Sequence, residues 1–159
     1  MPTRNTDLDR FDHAILNRLQ QNNTTPLRVI SREVNLSTAA VQRRVRRLEE
    51  LGVIQANAAV IDPVRVGLPI TIIVEVYAER THIDDLGAMK AHLSGPEIQQ
   101  CYYVTGDADF VLVVTVPTMA DYEALATRLF YENKNVKWFR SMVVMDRVKV
   151  GLTLPIGEL

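Results

Sequence analysis

Cysteine is almost absent from these 159 residues: Cys101 stands alone. A single thiol closes no internal disulfide and builds no cysteine-based metal cluster. The three histidines (His13, His82 and His92) lie far from it, so redox and zinc chemistry are not expected. Aromatic residues make up only 6% of the chain, and no run approaches the roughly 18 to 20 apolar residues of a membrane span. The opening Met1-Pro2-Thr3-Arg4-Asn5-Thr6 lacks the apolar core of a secretory signal, and a cytoplasmic location is expected. Lysine is missing from residues 1–55, although nine arginines are present there. Against six acids these give that stretch a net charge of +3, while the rest of the chain carries −4 and the whole −1. What remains, 47% hydrophobic and 23% charged, is a globular composition with apolar mass for one ordinary core or two small ones. Opposite charge in the two parts suits a basic nucleic-acid reader joined to a module that does not touch nucleic acid.

The basic stretch reads as three helices. Leu8, Phe11, Ile15 and Leu19 recur at spacings of three and four, with Asp7 or Asp9 as a cap, which predicts a first helix ending near Gln21. Thr25-Pro26 supplies a cap and a proline at the first helical position for a short second helix, with Leu27, Ile30 and Val34 on its buried side. After an Asn35-Leu36 turn, Ser37 caps a third helix that runs to about Leu51 and stops at Gly52. Short helix, tight turn and longer helix make the helix-turn-helix arrangement. On the third helix Val41, Val45 and Leu48 form an apolar stripe, with Arg43 and Arg46 opposite and Gln42 and Arg47 beside them. Forked guanidinium groups bind phosphate or grip the O6/N7 edge of guanine, and a glutamine does the same for adenine. Ser37, Gln42, Arg43, Arg44, Arg46 and Arg47 are therefore the candidate contacts to double-stranded DNA. Arg44, beside the apolar stripe, is directed at a backbone phosphate, and Ser37 serves as a cap, a phosphate contact or both. The plainer reading is a solvated face on which Arg46 pairs with Glu50. It has too few acids, because Glu49 and Glu50 cannot neutralise four arginines in five positions.

Residues 53–61 alternate and are read as a linking strand, with a hinge reaching to about residue 68. From there Pro69 to Tyr77 is an apolar, β-branched strand, and Ile83 to Leu93 has helical spacing that Ser94-Gly95-Pro96 breaks. Ile98 to Val104 and Phe110 to Val116 are strands joined by the Thr105-Gly106-Asp107-Ala108-Asp109 hairpin. Met119 to Tyr131 is a second helix and Val136 to Val150 a last strand. This β-α-β-β-α-β order predicts an α+β, ferredoxin-like domain whose two helices cover one face of an antiparallel sheet. Phe110 to Val114 and Met142 to Met145 are nevertheless apolar on both faces, so the open face is expected to be buried by a second copy. A homodimer through the sheets also presents two recognition helices to a two-fold DNA site. The expected organisation is a DNA-binding domain over 1–55, a linking strand and hinge over 56–68, and a ligand-binding and oligomerisation domain over 69–159.

Three motifs stand in a specific order. They are Leu8-Asp9-Arg10-Phe11-Asp12 with Ile15-Leu16 and Leu19-Gln20; Leu36-Ser37 leading to Arg43-Arg44-Val45-Arg46-Arg47-Leu48-Glu49 and Gly52-Val53-Ile54; and Gly106-Asp107-Ala108-Asp109-Phe110. Over nearly the whole chain this order resembles the Lrp/AsnC family of bacterial and archaeal transcriptional regulators. The resemblance implies a winged or three-helix helix-turn-helix followed by a ferredoxin-like domain of the RAM type. It further implies pairing into dimers and then octamers, with amino acids bound where dimers meet. The effector contacts it implies are Tyr103, Thr105, Gly106, Asp107, Ala108, Asp109 and Met119, with Met142, Val143 and Val144 from a neighbouring subunit. A carboxylate can hold an α-ammonium, backbone N–H groups beside a glycine an α-carboxylate, and Met and Val the side chain. The chain departs from the family pattern at Ala108, where an aromatic residue is frequent, and at Arg28-Val29-Ile30-Ser31-Arg32, where a Leu-Ala pair is common.

The implied role is a sequence-specific regulator at the nucleoid whose assembly or DNA affinity responds to an amino acid or related metabolite. No cofactor, metal, membrane partner or catalytic residue is expected. Asp107 and Asp109 lack a third hard ligand nearby for magnesium. Two other readings remain open. In one, the protein organises DNA and senses nothing, its hairpin Asp and Gly being present for turn conformation alone. In the other it is a small dimeric α/β-barrel enzyme, which the lack of a nucleophile beside a base, a metal triad or a nucleotide loop disfavours.

Overall fold

The structure, a computed structural model, describes residues 8–79 and 86–157. The chain forms two compact units, Met1–Ala59 together with Lys149–Leu159, and Val60–Val148.

In the first unit α1 spans Arg10–Gln21, and Asp9 caps it. The Asp9 carboxylate accepts the N–H groups of Phe11 and Asp12, while Asp12 Oδ2 accepts the N–H of Asp9, a reciprocal capping box. Asp7, the alternative cap, lies outside the described residues. Helix α2 spans Leu27–Glu33 and α3 spans Thr38–Glu50. Thr25 does not cap α2: its hydroxyl donates to Asn22 O at 2.7 Å and closes the preceding turn, and Pro26 takes the cap position with no side-chain bond. Asn35 takes φ 53° in the turn before α3, a left-handed conformation that Asn tolerates better than most residues. Ile15, Ile30, Val34 and Val41 form the core, with Phe11, Leu19, Leu27, Leu36 and Val45 packed around it.

The final eleven residues, which the sequence reading counted with the second domain, group with this unit. Leu154, Ile156 and Gly157 lie against α1. Gln20 Nε2 donates to Leu154 O at 2.8 Å, and Gln20 Oε1 accepts the N–H of Leu154 at 2.9 Å. Asn17 Nδ2 donates to Ile156 O at 3.2 Å, and His13 Nδ1 meets Gly157 O at 2.9 Å. Positions 13, 17 and 20 share one helix face by spacing, which is why they read successive points of one extended segment.

In the second unit β1 (Ile70–Ala78), α4 (Leu86–His92), β2 (Ile98–Tyr103), β3 (Phe110–Val116), α5 (Met119–Ala126) and β4 (Val136–Val143) follow in the expected order. The sheet order is β2-β3-β1-β4, antiparallel throughout, which is the ferredoxin-like topology. Ile72, Val74 and Val76 of β1 and Phe110, Leu112, Val114 and Val116 of β3 bury one face against Met89, Leu93, Tyr122, Leu125, Leu129 and Phe130. The other face carries Ile73, Glu75 and Tyr77, in register with Met142, Arg140 and Trp138.

Three expected elements differ. Residues 55–62 form no strand, and Val60 is 94% exposed. Alternating sequence becomes a strand only beside a hydrogen-bonded neighbour, and none pairs with it among the described residues. The last strand ends at Val143 rather than Val150: Val143 pairs with Ile72, Val144 N–H donates to Thr71 O, and β1 begins one residue further, at Ile70, which leaves no β1 edge for residues 146–150. The second helix leaves regular α geometry at Ala126 and closes with a π-helical turn, Thr127–Tyr131. The expected start of α4, at Ile83, lies outside the described residues.

Candidate functional site

Helix α3, the candidate DNA-reading helix, is capped by Ser37, whose Oγ accepts the N–H of Ala40 at 3.2 Å. Val41 and Leu48 are fully buried, which turns Gln42, Arg43 and Arg46 outward to solvent. Among the described residues neither Arg43 nor Arg46 makes an ion pair, and the Arg46–Glu50 pair of the plainer reading does not form. Arg44, expected at a phosphate, instead turns back to α1. Its Nη1 lies 2.8 Å from Asp12 Oδ1 and its Nη2 lies 2.9 Å from Asp9 Oδ2. Arg47 Nη1 reaches the other Asp12 oxygen at 3.2 Å. The Asp12 hydrogen bond holds the Arg44 guanidinium above its ordinary value. Burial pushes the Asp9 carboxyl up, but the Asp12 N–H and Arg44 more than offset this and leave it below the usual range. Asp12 stands in the first motif but is not among the expected site residues. Its signal was a carboxylate adjoining the apolar stripe of α1, one turn before Leu16.

At the hairpin, Val104 N–H donates to Asp109 O at 2.9 Å, and Gly106 takes φ 125°, open to glycine and strained for other residues. Thr105, Gly106 and Asp107 are exposed and Ala108 is buried. The Asp109 carboxylate accepts the N–H of Ala78 at 2.8 Å, tying the hairpin to the end of β1. Two open hollows flank Asp107. One, of about 380 Å³, is lined by Thr105, Asp107, Ala108, Glu75, Tyr77 and Arg140; the other, of about 340 Å³, by Asp107, Asp109, Glu79, Lys137, Tyr77 and Trp138. Tyr77 and Trp138 stack with ring centroids 3.6 Å apart, and Arg140 Nε donates to Glu75 Oε2 at 2.9 Å. That bond from Arg140 holds the Glu75 carboxyl below its ordinary value, and desolvation, then Glu75, pushes the Tyr77 hydroxyl up. Glu75, Tyr77, Trp138 and Arg140 were not among the expected site residues, although a Glu and an Arg in two apolar strands are a legible sign.

The expected effector residues do not all meet. Val76 pairs with Phe110 at the hairpin end of the sheet, whereas Val143 pairs with Ile72. Four strand residues separate these rows, roughly 13 Å at 3.3 Å per residue. Met142, Val143 and Val144 therefore lie toward the opposite end from Thr105 and Asp107, and Met119, just beyond β3, lies there too. Tyr103 is exposed, with its ring against Phe110 and Lys90 Nζ 5.0 Å from its centroid.

A basic helix-turn-helix and a ferredoxin-like domain with a hollowed hairpin define a one-component transcriptional regulator. Residues 8–49 match the AsnC-type helix-turn-helix domain and residues 71–154 the Lrp/AsnC ligand binding domain. An uncharacterised HTH-type transcriptional regulator of Sinorhizobium fredii is 46% identical over 151 residues, covering 94% of this chain and 89% of that protein. The leucine-responsive regulatory protein of Escherichia coli K12 is 35% identical, covering 94% and 92%. An AsnC family transcriptional regulator from Agrobacterium tumefaciens superposes with a TM-score of 0.85 at 32% identity, over 93% of this chain and 97% of that one. A Neisseria meningitidis transcriptional regulator solved as an L-Met complex gives a TM-score of 0.85 at 26% identity, over 93% and 96%. The chain belongs to the Lrp/AsnC family of transcriptional regulators.

Proposed function

We propose that the protein reads its DNA site through α3 and that an amino acid or related metabolite, held at the 105–109 hairpin, changes its assembly or DNA affinity. The observation that carries the effector reading is the pair of hollows around Asp107, within a domain of the ligand-binding type. The L-Met bound to the Neisseria relative supports an α-amino acid as the ligand class. Ser37, Gln42, Arg43 and Arg46 are the proposed DNA contacts. Thr105, Gly106, Asp107 and Ala108 are the proposed effector contacts of one chain.

The working unit is a homodimer that assembles further, toward an octamer, at the nucleoid in the cytoplasm. One observation supports assembly: the open sheet face carries Trp138, Met142 and Tyr102 half exposed. The role is binding rather than catalysis, with no cofactor. Cys101 is no activated nucleophile, since desolvation pushes its thiol up.

A second reading, DNA organisation without an effector, has one observation in its favour: Asp109 is committed to the backbone of β1 and so has a structural reason to be there. Calorimetric titration with each of the twenty amino acids, with mass by light scattering, separates the two. Saturable binding by a subset with a change in mass or DNA affinity is the expected result. Silence across all twenty, with DNA binding intact, favours the organiser.

A further inference from the structure

The four arginines of α3 fall into two classes that their sequence positions do not reveal. Arg43 and Arg46 face solvent without ion pairs among the described residues, whereas Arg44 and Arg47 are both drawn onto α1. The carboxylate between them, Asp12, is 1% exposed, and each of its oxygens takes one guanidinium, at 2.8 and 3.2 Å. Asp9 holds the second arm of Arg44, and the Arg44 guanidinium also sits 5.4 Å from the Phe11 ring centroid. A buried carboxylate cannot leave these cations without losing its charge compensation, so the pairing persists when a polyanion approaches.

We propose that Asp12 is a positioning residue for DNA reading that sets how many charges α3 delivers. By retaining Arg44 and Arg47 it lowers sequence-independent attraction to phosphate and leaves recognition to Arg43, Arg46 and Gln42. Each phosphate neutralised adds about 0.9 to the slope of log affinity against log salt, without regard to sequence. Withheld arginines therefore raise the ratio of specific to non-specific binding rather than affinity itself. The inference rests on α3 being the reading helix.

The test compares the protein with Asp12→Asn, Asp9→Asn and Glu50→Gln, measuring affinity for a duplex that the unsubstituted protein selects from a random-sequence library and for random duplex across a salt series. Glu50→Gln removes the same charge from the same unit without releasing an arginine. For Asp12→Asn the salt slope should steepen by about 1 to 2, with random-duplex affinity up and the specificity ratio down several-fold. Asp9→Asn, at an exposed carboxylate, should give a smaller change in the same direction and keeps the test open if Asp12→Asn folds poorly. A lowered melting temperature with an unchanged slope makes Asp12 a core clamp only and overturns the inference, as does an equal change in Glu50→Gln. Arg43→Ala and Arg46→Ala show where a failure lies. Should they also leave affinity unchanged, the reading helix itself is misassigned; should they weaken it while the Asp12 slope stays put, this inference alone falls.

Discussion

Asp107 and Asp109 sit two positions apart in one hairpin and have different jobs. Asp109 accepts the Ala78 N–H, so Asp109→Ala strands a backbone donor at the end of β1 and should cost about 1 kcal/mol or more of stability. Asp107 is exposed between two hollows, so Asp107→Ala should abolish the calorimetric effector signal with the melting temperature unchanged. A normal titration in Asp107→Ala would move the site off the hairpin. At this scale the sequence was readable where a residue type has one use, as with Ser37 capping α3 and Gly106 at positive φ. It was ambiguous where one type has several. An arginine is equally suited to a phosphate and to a buried carboxylate, and only the approach of α1 to α3 places Arg44 against Asp12.

The helices α1 and α3 were legible because their apolar spacing and their caps agree, and the sheet order followed from the alternation of strands and helices. Boundaries set by neighbours were not legible: β4 stops near the start of β1, and residues 55–62 have no partner strand among the described residues. The cap of α1 gives a pH dependence. Because the folded Asp9 carboxyl is held below its ordinary value, its contribution is fully present above about pH 4 to 5 and is lost as pH falls through the lower folded value. Thermal melts of wild type and Asp9→Ala should therefore differ by a constant amount near neutrality and converge in acid. A gap between them that stays constant down to pH 2 would show that the Asp9 charge contributes nothing.

Across the whole molecule, the large apolar side chains left exposed among the described residues include those of the sheet face around Met142 and Trp138, Val60 and Ile61, and the segment from Met145 (95% exposed) to Leu154. Under the proposed assembly, this is the surface that other copies would cover. The segment at Leu154 is anchored by the Gln20 side-chain amide, which both donates to and accepts from one backbone residue. Gln20→Leu should release it, and the Leu154 amide should then exchange with solvent faster by the equivalent of about 1 kcal/mol. Equal exchange in both proteins would mean that Gln20 does not hold the segment. This anchorage also orders events during synthesis. Gln20 leaves the ribosome 134 residues ahead of Leu154, a wait of roughly 7 to 27 s at ~5 to 20 residues per second. The three helices can pack as soon as they emerge, but the amide clamp closes only after the entire sheet has been made. The unit begun first is thus completed after the sheet, and a nascent chain carries this unit without its Leu154 anchor until that residue has emerged.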